Sequence, residues 1–192
     1  VVAKTIEALK ARGISAELVA DRPRALEAVK RLIPDGAEVM TGSSKTLEEI
    51  GFVDLLKSGA RPWKNLKAAI QAETDPSRQM DLRRKAALSQ YFLGSVHAVT
   101  ESGEAIIVSG GGSQLAPYAY TAQKVIWVVG TQKIVPTLEE GLRRVREHSL
   151  PLEDRRMKAL GYPGSAIGKI LIVERERPGR IHTVFVSEAI GF

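Results

Sequence analysis

The sequence predicts a single α/β domain over residues 1–192, built on an open, mostly parallel sheet flanked by helices. Three observations point there. Apolar residues switch repeatedly between helical and strand spacing from one end of the chain to the other. The run Lys124-Val125-Ile126-Trp127-Val128-Val129-Gly130 is apolar without interruption, the pattern of a strand buried on both faces of a parallel sheet. No repeat, low-complexity tract or linker divides the chain.

Val2, Ile6 and Leu9 place a helix over residues 2–12, Gly13 stops it, and residues 14–19 alternate as a strand. Asp21 and Pro23 start a second helix, with Leu26, Val29 and Ile33 on one face; it ends at Pro34-Asp35-Gly36. Residues 37–40 then form a short buried strand. Leu47, Ile50, Val53 and Leu56 make the next segment one amphipathic helix closed by Gly59. Trp63, Leu66 and Ile70 suggest a further helix, and Asp75-Pro76 opens a basic one running to about Ser89.

The pattern then turns to β. Residues 96–100 and 105–108 are strands joined by the turn Glu101-Ser102-Gly103, and the second runs into a triple glycine. After the apolar run at 124–130, Thr137 and Glu140 form a capping box for a helix through His148, and 151–160 is a separate helix. Residues 169–174 and 181–186 flank Arg177-Pro178-Gly179-Arg180 and are predicted to close the chain as a hairpin.

Apolar residues make up 44% of the chain and charged ones 26%, ordinary globular usage that permits a sizeable core. A net charge of +6 favours anionic small molecules or acidic partners. The charge is dispersed: Arg83-Arg84-Lys85, Arg143-Arg144 and Arg155-Arg156 lie in helix-like stretches and aromatics are 5%, so nucleic acid is not an expected partner. There is no cysteine, which excludes disulfides, a thiolate nucleophile and an iron–sulfur cluster held by this chain alone. His97, His148 and His182 lack ligand spacing, so no metal site is expected; His97 reads as a structural histidine and His182 as a surface or edge position. No apolar run reaches the ~20 residues of a membrane span, no signal peptide is visible, and a cytoplasmic location is the default expectation.

Two loops carry the candidate chemistry. The first is Thr41-Gly42-Ser43-Ser44-Lys45-Thr46, the second Ser109-Gly110-Gly111-Gly112-Ser113-Gln114, and each follows an apolar run. Glycines present bare N–H groups, hydroxyls add donors, and a helix beginning at such a loop aims its positive end outward. The expected ligand is a small anion, a carboxylate or a phosphate, held by Gly42, Ser43, Ser44, Lys45 and Thr46 from one side and Gly110, Gly111, Gly112, Ser113 and Gln114 from the other. Glu101 is expected beside the bound group. The first loop lacks the glycine spacing of a Walker A motif, and the second lacks the third glycine of a dinucleotide fingerprint.

MTGSSKTLEEIG, YFLGSVHAVTESGEAIIVSGGGSQ and KVIWVVG, taken in order, resemble the LUD domain of lactate utilisation proteins, most closely its small cysteine-free subunits. The resemblance covers about residues 1–192. It implies the sugar-isomerase and CoA-transferase superfamily fold, a ligand against glycine loops at strand ends, and work alongside cysteine-rich iron–sulfur subunits that oxidise L-lactate to pyruvate. On that reading the chain is an accessory or organic-acid-binding subunit with no cofactor of its own. Thr100-Glu101-Ser102-Gly103 is also similar to the Ser-Glu-Asn-Gly turn of class I CoA-transferases, with Ser in place of Asn. That similarity implies an alternative, an independent transferase or sugar-phosphate isomerase using Glu101 as nucleophile. A regulatory domain sensing an anionic metabolite is the other alternative.

Overall fold

The computed structural model describes residues 1–192 as four layers: helices, a parallel sheet, a smaller mixed sheet, and one long helical stretch. The chain opens with α1 (Val2–Ala11), β1 (Ser15–Val19), α2 (Arg22–Leu32) and β2 (Glu38–Thr41). Asp21 caps α2 by accepting a hydrogen bond from the Arg24 N–H at 2.9 Å. The expected single helix after β2 is two: α3 (Lys45–Glu49) and α4 (Phe52–Ser58). Gly51, at φ 78°, breaks them in a conformation that glycine adopts cheaply, while the apolar spacing carries across the break.

There follow β3 (Lys64–Asn65), α5 (Leu66–Ala72), α6 (Pro76–Ala86, capped by Asp75) and β4 (Tyr91–Gly94). Neither β3 nor β4 is called by the alternation rule, β3 because it spans two residues and β4 because it is a four-residue run without a polar partner. Then come β5 (Ala98–Thr100), β6 (Ala105–Ser109), a π-helical turn at Pro117–Thr121, β7 (Lys124–Gly130), β8 (Ile134–Val135), α7 (Leu138–Arg144), α8 (Leu150–Ala159), β9 (Lys169–Val173) and β10 (Ile181–Val186). Thr137 caps α7 as expected, accepting from the Glu140 N–H at 3.2 Å. A π-helical turn, Val145–Ser149, joins α7 to α8, so the two expected helices are one continuous stretch. Pro151 has no N–H to give the helical ladder, and the widened turn lies just upstream of it.

The main sheet runs β1-β10-β7-β4-β2-β3, every pair parallel; the second runs β8-β5-β6-β9, with β5 and β6 the expected antiparallel hairpin. The predicted closing hairpin is not formed. β9 pairs antiparallel with β6 in the small sheet, whereas β10 enters the large sheet between β1 and β7. Both strands meet turn-rich sequence at Pro178-Gly179, but each buries its apolar face against a different layer.

Alternation along the strands explains the layers. Val39, Leu93, Ile126, Val128 and Val184 face the helical layer, against Ala25, Val29, Leu47 and Phe52. Phe92, Val125, Trp127, Val129 and Phe185 point the other way and meet Val99, Ala105, Ile107 and Val173 of the small sheet. The reverse face of that sheet, Ala98 and Ile106, packs on Val145 and Leu142. One face of the parallel sheet is therefore covered chiefly by a second sheet. Gly141 lets α7 approach, since a Cβ there would overlap the Ile106 Cδ1.

Candidate functional site

At the carboxyl edge of the parallel sheet, β2 leads outward to β3 while its neighbour β4 leads through the small sheet to β7 on the opposite side. Their connections diverge, and a crevice opens outside the ends of such strands. Here it is a cavity of about 180 Å³. Its walls are Gly42–Thr46 after β2, Gly94–His97 from the end of β4, Val108–Gly110 from the end of β6 with Gln114, and Lys133 after β7, with Ser149 and Glu153 from the long helical stretch and 165–167 closing one side.

Gly42 through Thr46 of the first loop line this cleft. Ser44 caps α3, accepting from the Leu47 N–H at 3.3 Å; Ser43 Oγ accepts from Arg156 at 2.9 Å. Lys45 stays half-exposed, with Glu48 and Glu49 at 3.8 and 3.9 Å. Lys67 holds the loop from behind by donating to the Gly42 carbonyl at 3.2 Å. The second loop contributes Gly110 and Gln114. Gly111, Gly112 and Ser113 lie on its outer limb, where Lys169 donates to the Gly111 carbonyl at 3.2 Å. Gly42 faces the Gln114 side chain, so the two loops meet.

Glu101 lies elsewhere. The hairpin leaves the cleft at His97 and turns back at Glu101, about 13 Å along the strand at ~3.3 Å per residue. There Glu101 pairs with Lys4 of α1 at 3.0 Å, and its N–H donates to the Val135 carbonyl at 2.8 Å.

Lys133, a residue that carries no motif, forms the floor. It is 3% exposed and spends all three N–H donors, on Thr46 Oγ1 (3.2 Å), Ser95 Oγ (3.1 Å) and the Val96 carbonyl (3.3 Å). Burial, helped by the nearby Arg144 charge, pushes its ammonium down to about 7 against a smaller upward pull from Glu49. His97 adjoins it on the wall. The Val108 N–H donates to His97 Nδ1 at 3.2 Å, and burial with the Lys133 and Arg144 charges pushes the imidazole down to about 3. Arg144 braces this corner, donating to the His97 carbonyl and to Ser149 Oγ, both at 2.8 Å.

The backbone N–H groups of Ser43, Ser44, Ser95 and Val96 find no acceptor within the chain. All four residues line the cleft around the Lys133 ammonium, and amides without partners beside a buried cation can hold a small anion. The signal that could have found Lys133 was its place three residues beyond a strand buried on both faces, where ligand-binding groups of open α/β sheets collect. His97 had no such mark. No group of three or more His, Asp or Glu is placed to hold a metal ion, and no helix is long and apolar enough to cross a membrane.

The LUD domain family model matches residues 2–186. Among solved structures, a DUF162 family protein from Deinococcus radiodurans is similar over 97% of this chain and 96% of its own, at 12% identity and a TM-score of 0.55, which shows a shared fold. The beta subunit of eIF2B from Chaetomium thermophilum matches 62% of this chain and 44% of its own, at 14% identity and a TM-score of 0.36. No curated protein matches the sequence.

Proposed function

The chain belongs to the LUD domain family, and from that premise we propose that its cleft holds a small organic acid for an iron–sulfur L-lactate oxidation system, in the manner of the subtype called lactate utilisation protein C. The observation that carries the reading is the cradle itself: four unpaired amides over a buried lysine that crosslinks the two loops. An anion entering there accepts charge-assisted hydrogen bonds from those amides. A cleft of about 180 Å³ accommodates a metabolite of a few heavy atoms.

The work divides accordingly. This chain binds and orients the acid; cysteine-rich partner subunits carry the iron–sulfur clusters and the electrons, because this chain has no thiolate with which to hold a cluster. Calorimetric titration of the isolated chain with L-lactate, pyruvate and inorganic phosphate tests the binding role. Saturable binding of the two organic acids, weakened at least about tenfold by Lys133→Met, is expected. Phosphate binding without either acid would turn the reading towards a phosphorylated metabolite, and no binding of any of the three would end it. The redox role is tested by mixing: L-lactate-dependent dye reduction should require the iron–sulfur partners.

A further inference from the structure

We infer that His97 selects among the acids that enter the cleft: its Nε2–H donates to an oxygen on the carbon next to the carboxylate, so acids bearing that oxygen are held in preference to those without it. The inference rests on the organic-acid reading of the cleft and adds the residue that sets its selectivity.

The geometry fixes the ring's role. Nδ1 accepts from the Val108 N–H at 3.2 Å, so its lone pair is occupied and the ring proton belongs on Nε2. Nε2 makes no hydrogen bond within the protein, yet it is not among the buried polar atoms left without a partner, so it opens onto the cleft that His97 lines. Arg144 holds the residue's carbonyl at 2.8 Å, and the His97 N–H donates to the Ile106 carbonyl at 2.9 Å, so the backbone that carries the ring is fixed on both sides. Burial of the ring, with the Lys133 and Arg144 charges close by, disfavours protonation down to about 3. Over the working pH range the ring is a neutral donor that neither gains nor loses a charge.

A neutral donor and a buried ammonium divide the ligand between them. The carboxylate carries the formal charge and settles where the Lys133 charge attracts it and the loop amides are free to donate. The Nε2 donor, next along the same Gly94–His97 wall, suits a neutral acceptor, a ketone or hydroxyl oxygen. A ligand lacking that oxygen would bury the Nε2–H with nothing to accept it, which is how a polar site rejects a near-isostere.

The test compares pyruvate and L-lactate with propionate, which has the same carboxylate and carbon count but no second oxygen, by calorimetric titration of the full chain. Wild-type protein should bind the first two about tenfold or more tightly than propionate. Two variants separate selection from scaffolding. His97→Asn keeps a side-chain acceptor near the Nδ1 position for the Val108 N–H but removes the Nε2 donor; it should bind propionate as wild type does while the preference falls to about twofold or less. His97→Gln, whose amide reaches the Nε2 position, should restore much of the preference. Equal wild-type affinity for all three acids, or a preference unchanged in His97→Asn, would overturn the role of His97 while leaving the organic-acid cleft standing. Absence of binding by every acid would overturn both.

Discussion

Lys133 Nζ donates to Thr46 Oγ1 at 3.2 Å across 87 residues of chain, tying the turn after β7 to the first turn of α3. The same ammonium also reaches Ser95 Oγ and the Val96 carbonyl. One side chain thus fixes the spacing of the loops that follow three strands of the parallel sheet, and it does so as a buried cation with no carboxylate in contact. Such a charge costs folding free energy. Its position under the cradle gives that cost a use, since a bound carboxylate supplies the missing counter-charge.

The pH dependence of stability follows from this. Lys133 titrates near 7 when folded and near 10.5 when exposed. Between those values the unfolded chain binds more protons, so stability rises with pH across the window, by up to about 1.4 kcal/mol per unit, and the burden is fully present below 7. Lys133→Met removes it. Urea denaturation at about pH 6 and about pH 9 should show Lys133→Met gaining on wild type at the lower pH, with the difference shrinking at the higher. An equal difference at both would mean that Lys133 stays charged throughout. Acid affinity of the wild type should fall as pH rises through 7.

A second prediction concerns the end of β4. A Cβ on Gly94 would overlap the hydroxyl of Tyr118, which is 2% exposed and packed edge-on between Phe92 and Trp127. Gly94→Ala should cost about 1–3 kcal/mol by overpacking. Tyr118→Phe alone gives up only a long 3.4 Å bond to the Ser95 carbonyl and should cost less than about 1 kcal/mol. Combined, the two should recover most of the loss, because without the hydroxyl the nearest ring atom lies 3.2 Å away. Simple additivity in denaturant melts would place the strain elsewhere.

Glu101→Gln should be nearly silent. Its partner Lys4 is 71% exposed at 3.0 Å, and such surface pairs contribute about 0–1 kcal/mol. Titration with L-lactate should give the wild-type affinity within about twofold. A tenfold loss would show that the hairpin turn communicates with the cleft, and a covalent acyl adduct on Glu101 after incubation with an acyl-CoA would favour the transferase alternative.

What the sequence made legible was local. Caps at Asp21, Asp75 and Thr137, the stop at Gly13, the β5–β6 turn and the buried run at 124–130 are each encoded within a few residues. What escaped depended on partners far along the chain. β9 and β10 flank one turn yet join different sheets, because Lys169–Val173 finds β6 and Ile181–Val186 finds β1 and β7. Residues around Glu101 looked chemical because of their motif, while Lys133 carries none; only the meeting of three loops gives it a role.

The last prediction separates the two limbs of the glycine loops. Gly42 is at the seam: a Cβ there would meet Gln114 Oε1 at 3.2 Å, and Gln114 Nε2 in turn donates to the Val108 carbonyl at 3.0 Å. Gly42→Val should therefore displace Gln114 and part the lips of the cleft, lowering acid affinity about tenfold while costing less than about 1–2 kcal/mol of stability, because the crowded partner is the end of a flexible side chain. Gly111 is the control. Its φ is not positive and a Cβ there meets nothing within 4 Å, so Gly111→Val should leave both affinity and stability unchanged within about a few tenths of a kcal/mol. Paired titrations and denaturant melts decide it. If Gly111→Val proved the more damaging to binding, the outer limb would have to fold over the ligand, and the anion would sit against Gly110–Gly112 instead of over Lys133.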